Sequence, residues 1–103
     1  MNRFAIDGHV DTLSNFLKDN NYNFFNLNKS FHVDLPRLKK AGVKIINLAI
    51  CIEPDYKPDN IIERTMQYID KLYNLLRKSN ELILIKTNND IENIFNSNKT
   101  GFL

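Results

Sequence analysis

The stretch Asp34–Ile52, DLPRLKKAGVKIINLAICI, contains a complete helix-to-strand unit and decides the fold. Asp34 stands where an N-cap belongs, and Pro36 falls in the first turn, where a missing N–H costs no hydrogen bond. Lys39 and Lys40 lie near the C-terminal end, where the helix dipole favours cations, and Gly42 takes the position just past it that calls for a left-handed residue. The run Val43–Ile52 is nearly all apolar and rich in β-branched residues. Such a strand is buried on both faces, as in a parallel sheet covered by helices. Cys51 sits inside this run, and a lone cysteine there is expected to be inert and buried.

Upstream, RFAID (Arg3–Asp7) reads as a first strand, with a glycine directly after it, and residues 12–18 as a short helix. The Asn-rich segment KDNNYNFFNLNKS has no period and reads as a loop pinned to the core by Phe24, Phe25 and Leu27. Downstream, EPDYKP breaks the chain. The strongest helix follows, from Asp59 to about Lys78, with Ile62, Met66, Ile69, Tyr73 and Leu76 as its core-facing stripe. LILIK (Leu82–Lys86) is a further strand, NNDIENIFN a short helix capped by Asn88 or Asn89, and TGFL the start of another strand. Alternating strands and helices imply an α/β fold with a parallel sheet. No internal repeat or linker divides the chain, so 1–103 reads as one partial domain. Nothing in it closes the sheet, and a bare edge strand is an aggregation hazard, so the pattern is that of the first part of something larger.

Composition narrows the function. The net charge of +2 is scattered, and no basic stripe interleaved with aromatics exists, which argues against nucleic acid as a partner. A single cysteine excludes an internal disulfide and a cysteine-rich metal site. The opening MNRFAIDG has no apolar segment of signal-peptide length, and no stretch reaches the roughly 20 apolar residues of a membrane span. The expected compartment is the cytoplasm, with no membrane anchor.

His-Val-Asp occurs twice, at His9–Asp11 and His32–Asp34. The first copy lies at the C-terminal end of the first strand. On an extended backbone His9 and Asp11 point to one side, with Cα atoms about 6.5–7 Å apart, so imidazole and carboxylate can converge on one cation. Gly8 lets the backbone turn or approach closely there, and Asp7 is placed to orient His9 or to serve the turn. The plainer reading has Asp11 capping the next helix. For the second copy a structural account suffices: Asp34 is a helix cap, and no strand end brings His32 beside a site. Glu53 and Asp55 face the same end of the sheet as His9; they are expected to be solvated loop residues, with a contribution to substrate access as the alternative. Glu63, Asp70 and Glu81 fall on helix surfaces or ends.

These blocks together resemble a known family. Asp7-Gly8-His9-Val10-Asp11, followed by Asp34-Leu35-Pro36-Arg37-Leu38 and Ala41-Gly42-Val43, is similar in order and spacing to the membrane dipeptidase (renal dipeptidase) family of zinc peptidases. The likeness runs the length of the chain. It implies a (β/α)8 TIM-type barrel, of which this is the N-terminal part, and hydrolysis of dipeptides by a water activated between two zinc ions. It makes His9 and Asp11 ligands of one zinc. The bridging Glu, two further His residues and the Arg and Asp that serve substrate are implied on later strands, the Glu just beyond Leu103. No catalytic residue of the family therefore falls in these residues, and at most one partial zinc site does. The chain alone is expected to be inactive, and a complementing C-terminal chain or self-association is the partner this implies, besides the dipeptide substrate. Two other readings remain open: a non-catalytic remnant that acts by binding through its sheet edge, and an unrelated small α/β domain.

Overall fold

A computed structural model describes residues 3–103. Strand β1 (Ala5–Val10) leads through a 3-10 turn (Thr12–Ser14) into the short helix α1 (Asn15–Lys18). A long loop returns to α2 (Leu35–Ala41), which runs straight into β2 (Val43–Leu48). After a second 3-10 turn (Pro54–Tyr56) come α3 (Ile61–Arg77), β3 (Leu82–Leu84), α4 (Asn88–Phe95) and β4 (Thr100–Phe102). All neighbouring strands pair in parallel, in the order β1-β2-β4-β3. A parallel sheet alternating with helices is consistent with part of a TIM-type barrel. In a barrel wound consecutively, β3 would neighbour β2; here β4 takes that place. All three residues of β4 are buried, which suits an interior strand, whereas two of the three in β3 are half-buried.

The helix-to-strand unit forms for local reasons. Asp34 is extended, and its Oδ1 accepts from the Arg37 backbone N–H at 3.0 Å. Gly42 ends α2 with φ 74°, a left-handed conformation that a side chain would strain. α4 begins one residue earlier than its Asn-rich start suggests. Thr87 is the cap, and Asp90 completes a reciprocal capping box with it.

The main core lies on one face of the sheet, where Val10, Ile46, Leu48, Leu82 and Phe102 meet Leu35 and Leu38 of α2, Leu75 of α3, and Tyr22 and Phe24 from the loop. A Cβ on Gly101 would point the other way and lie 2.4 Å from the Ile94 Cδ1, so glycine is what lets α4 approach β4.

Several expectations are corrected. β1 extends to Val10, so Gly8 and His9 lie within the strand. β2 stops at Leu48 and β3 at Leu84, each short of its apolar run. Cys51 is exposed, because it lies in the loop beyond β2. Leu27 is 60% exposed, and Tyr22 packs in its stead. On α3, Ile62, Met66 and Tyr73 are exposed, whereas Tyr68 and Leu75 are buried. The helix carries two adjacent apolar stripes, and the one that turns inward is the one whose tyrosine hydroxyl finds partners beyond β2. Gly8 has no positive φ, and a Cβ there would meet nothing within 4 Å, so neither a turn nor a close approach explains it.

Candidate metal centre

The register between β1 and β2 slips between Asp7 and Val10: Asp7 pairs with Ile46, and Val10 with Leu48. Gly8 and His9 thus face the single residue Asn47, which is a bulge, a device that re-aims side chains. The Asp7 carboxylate accepts from the His9 backbone N–H at 3.1 Å. Asp11 has left the strand (φ −91°, ψ 10°) and heads the 3-10 turn, where its carbonyl, not its carboxylate, accepts from Ser14. That frees the side chain, and Asp11 Oδ1 lies 3.0 Å from His9 Nε2. The two groups meet as the spacing suggests, but through a bulge and a turn rather than along an extended strand. The capping alternative for Asp11 fails, since no side-chain cap bond is made.

Both side chains are open to solvent, His9 at 70% and Asp11 at 62%, so their contact contributes little to stability. The donor set, one imidazole nitrogen and one carboxylate oxygen, suits zinc, whose bonds of about 2.0–2.2 Å would hold two such donors about 3.4 Å apart. A separation of 3.0 Å needs only a small opening to accept an ion. Among the described residues no three His, Cys, Asp or Glu side chains gather closely enough to hold a metal, and these two are the donors that converge at this strand end.

The pair opens onto a cleft of about 410 Å³. One wall is the β1 end with its turn; the other is Ser30, Phe31, His32 and Val33. The second His-Val-Asp copy therefore does come beside the first: His32 lines the same cleft as His9, against the sequence expectation. Asp34 stays out of it, fully buried, with Arg37 Nε 2.7 Å and the Asn28 N–H 3.0 Å from its Oδ2. Burial alone would raise the Asp34 pKa, but these donors outweigh it and hold the carboxyl below its ordinary value.

A second polar cluster lies beyond β2. Glu53 is not a solvated loop residue. It takes two bonds from the Arg64 guanidinium (2.8 and 3.2 Å) and one from the Tyr68 hydroxyl (2.9 Å), and Arg64 lies over the Tyr56 ring at 4.3 Å. The Arg64 hydrogen bonds bring the Glu53 pKa down to about 2, while burial pushes the Tyr68 hydroxyl up to about 12. The sequence carries one signal of this cluster: Arg64 and Tyr68 stand four apart on one helical face. Since the folded carboxyl ionises below its ordinary 4.5, the pair's stability is fully present above that pH and is lost as pH falls toward 2. Glu53→Gln should lower unfolding free energy by about 1–3 kcal/mol at neutral pH, read by urea titration, and the deficit should shrink in acid. A deficit constant from pH 7 to pH 2 would refute the ion-pair account.

A parallel α/β frame with a polar cleft at the C-terminal end of a strand belongs to the class in which ligands and reactive groups gather at that end. Within this class, the model of the membrane dipeptidase family (Peptidase family M19) matches residues 2–103, and the chain belongs to that family. The chemistry indicated is peptide hydrolysis. No curated protein matches the chain. Among the described residues no helix is long and apolar enough to cross a membrane.

Proposed function

We propose that the chain supplies the first part of a zinc-dependent dipeptidase, with His9 and Asp11 as ligands of one of two ions. The observation that carries this reading is the His9 Nε2–Asp11 Oδ1 approach of 3.0 Å at the end of β1, in a chain that belongs to a dipeptidase family. Zinc bound there supplies activation of water near neutral pH and polarisation of the scissile carbonyl. The chain's own residues set the stage: the bulge aims His9, the Asp7 carboxylate fixes the backbone that carries it, and Asp11 is free of capping duty. The lone exposed thiol of Cys51 suits a reducing compartment, and the cytoplasm is the compartment proposed.

A catalytic zinc normally has three protein ligands and an open position, and the described residues offer two converging donors. The 103-residue chain should therefore bind zinc weakly, with the heat of binding in calorimetry lost in His9→Ala, and should not cleave a simple dipeptide. Zinc-dependent cleavage by the pure chain would sink the half-site reading. A complementing chain bearing the remaining ligands should restore activity, and His9→Ala should remove it again.

A second reading, a non-catalytic module acting by contact, draws on the exposed Phe4 just before β1, on Ile6 within it, and on Ile62, Met66 and Tyr73 on α3. A soluble, monodisperse chain without zinc favours it; zinc-dependent behaviour favours the peptidase.

A further inference from the structure

Asp11 is an open side chain carried by a buried frame. Its carboxylate makes no cap bond, and among the described residues it meets the His9 imidazole alone. The residues on either side of it, Val10 and Thr12, are both buried. Val10 is held by apolar packing and by its carbonyl, which accepts from the Ala49 N–H at 2.9 Å. Thr12 is held differently. A valine would fill the same space, but the hydroxyl is engaged on both sides: the Asn15 amide donates to it at 3.4 Å, and the Tyr22 hydroxyl lies 2.7 Å away. Tyr22 gives its one proton to the Val33 carbonyl at 2.5 Å, so Thr12 is the donor to Tyr22. The bonds thus run in one direction, from Asn15 through Thr12 and Tyr22 to Val33, and each polarises the next. The Tyr22 ring packs edge-on against Phe16 at 4.5 Å and against Phe31 at 4.7 Å, which makes its hydroxyl a fixed point.

The peptide between Asp11 and Thr12 is therefore fastened at both ends. The Asp11 carbonyl accepts from the Ser14 N–H at 3.2 Å and from the Ser14 hydroxyl at 3.0 Å, and the Thr12 side chain is tied to Tyr22. Apolar packing has no direction, so a valine at position 12 would keep the turn in the core without fixing its rotation; a hydrogen bond of defined geometry fixes both. The angle at which Asp11 leaves the strand decides whether its oxygen converges with the His9 nitrogen. We propose that Thr12 and Tyr22 are positioning residues of the metal centre: their hydroxyl pair sets the orientation of the Asp11 carboxylate and, through it, zinc affinity. The inference rests on the reading of His9 and Asp11 as zinc ligands and adds two buried residues that act through Asp11.

Three substitutions separate the hydroxyl from its packing. Thr12→Val keeps the shape and removes the donor, Tyr22→Phe keeps the ring and removes the acceptor, and Thr12→Ser keeps the donor and removes a buried methyl. Zinc ion is titrated into the full chain and each variant, followed by the NMR signals of the His9 imidazole, assigned with His9→Ala; urea unfolding of the metal-free chains reads stability. Thr12→Val and Tyr22→Phe should each weaken zinc binding about tenfold, the lower end of the loss when an outer partner of a metal ligand is removed. The double variant should be no weaker than Tyr22→Phe alone, because both act through one bond. Thr12→Ser should bind zinc as the wild type does, although its lost methyl lowers the urea midpoint. Zinc affinity and stability then rank the variants differently, which a purely structural role would not produce. If Thr12→Val and Tyr22→Phe bind zinc like the wild type, the proposal falls and the metal reading stands. If Thr12→Ser loses as much affinity as Thr12→Val, packing and not the hydroxyl is at work, and the proposal falls again. If zinc leaves the His9 signals of the wild type unmoved, the zinc-ligand reading fails and takes the proposal with it.

Discussion

Asp34→Ala should cost about 3 kcal/mol of unfolding free energy and lower the melting temperature by about 15 °C. The side chain is fully buried and meets three donors: the Arg37 N–H at 3.0 Å, Arg37 Nε at 2.7 Å and the Asn28 N–H at 3.0 Å. Alanine leaves all three without an acceptor and removes the cap of α2. Arg37 is 39% exposed and regains part of its hydration, which holds the loss to the lower end of the range for a broken buried pair. Asp34→Asn should fall between, because an amide oxygen still serves the cap but carries no charge for the guanidinium. The order wild type, Asn, Ala in urea midpoints checks the account; an alanine variant within 1 kcal/mol of wild type would contradict it.

Phe24→Ala should cost about 3–5 kcal/mol, the scale of an aromatic ring lost from a core. Phe24 is 1% exposed although it belongs to a loop. Its ring meets Phe102 of β4 edge-on at 5.6 Å and Phe25 at 6.2 Å, and its carbonyl accepts from the Leu35 N–H at 2.7 Å. The ring is the rivet between the sheet and the loop that forms one wall of the cleft. Phe24→Leu, which keeps apolar volume but not the ring edges, should lose less than half as much. Equal losses for Leu and Ala would show that the ring contacts carry no weight beyond filling space.

Both residues were legible in the sequence to different depths. Asp34 could be read as a cap, because a cap depends on residues within one turn, Pro36 and the Arg37 N–H; its burial and its bonds to the Arg37 guanidinium and the Asn28 N–H could not. Gly42 is legible for the same reason. Thr87 is masked as a cap by its asparagine neighbours, although the Thr87–Asp90 spacing is that of a capping box. Phe24 could be assigned to the core by its apolarity, but Leu27 equally so, and only tertiary packing separates them. Tyr68 was hidden because α3 has two apolar stripes, and the choice between them is made by Glu53, fifteen residues away in the chain. The pairing of His9 with Asp11 followed from spacing and chemistry. That His32 shares their cleft did not, since it depends on the Tyr22–Val33 and Arg37–Phe31 bonds that fold the loop back. Strand order was equally hidden, because a three-residue segment such as TGF gives no periodicity to say which neighbours it takes.

The position of β4 governs how the chain can fold while it is being made. β1 and β2 can pair as soon as both have emerged from the ribosome, with α2 already formed between them. β3 is different: among the described strands it pairs only with β4, so Leu82 emerges before its partner Thr100 exists. Until then β2 keeps one bare edge and β3 has no ladder at all. Among the described strands, the last made is the wedge between β2 and β3. A nascent chain stalled before Thr100 should be far more sensitive to protease across β3 and α4 than one stalled well after Phe102 has cleared the exit tunnel.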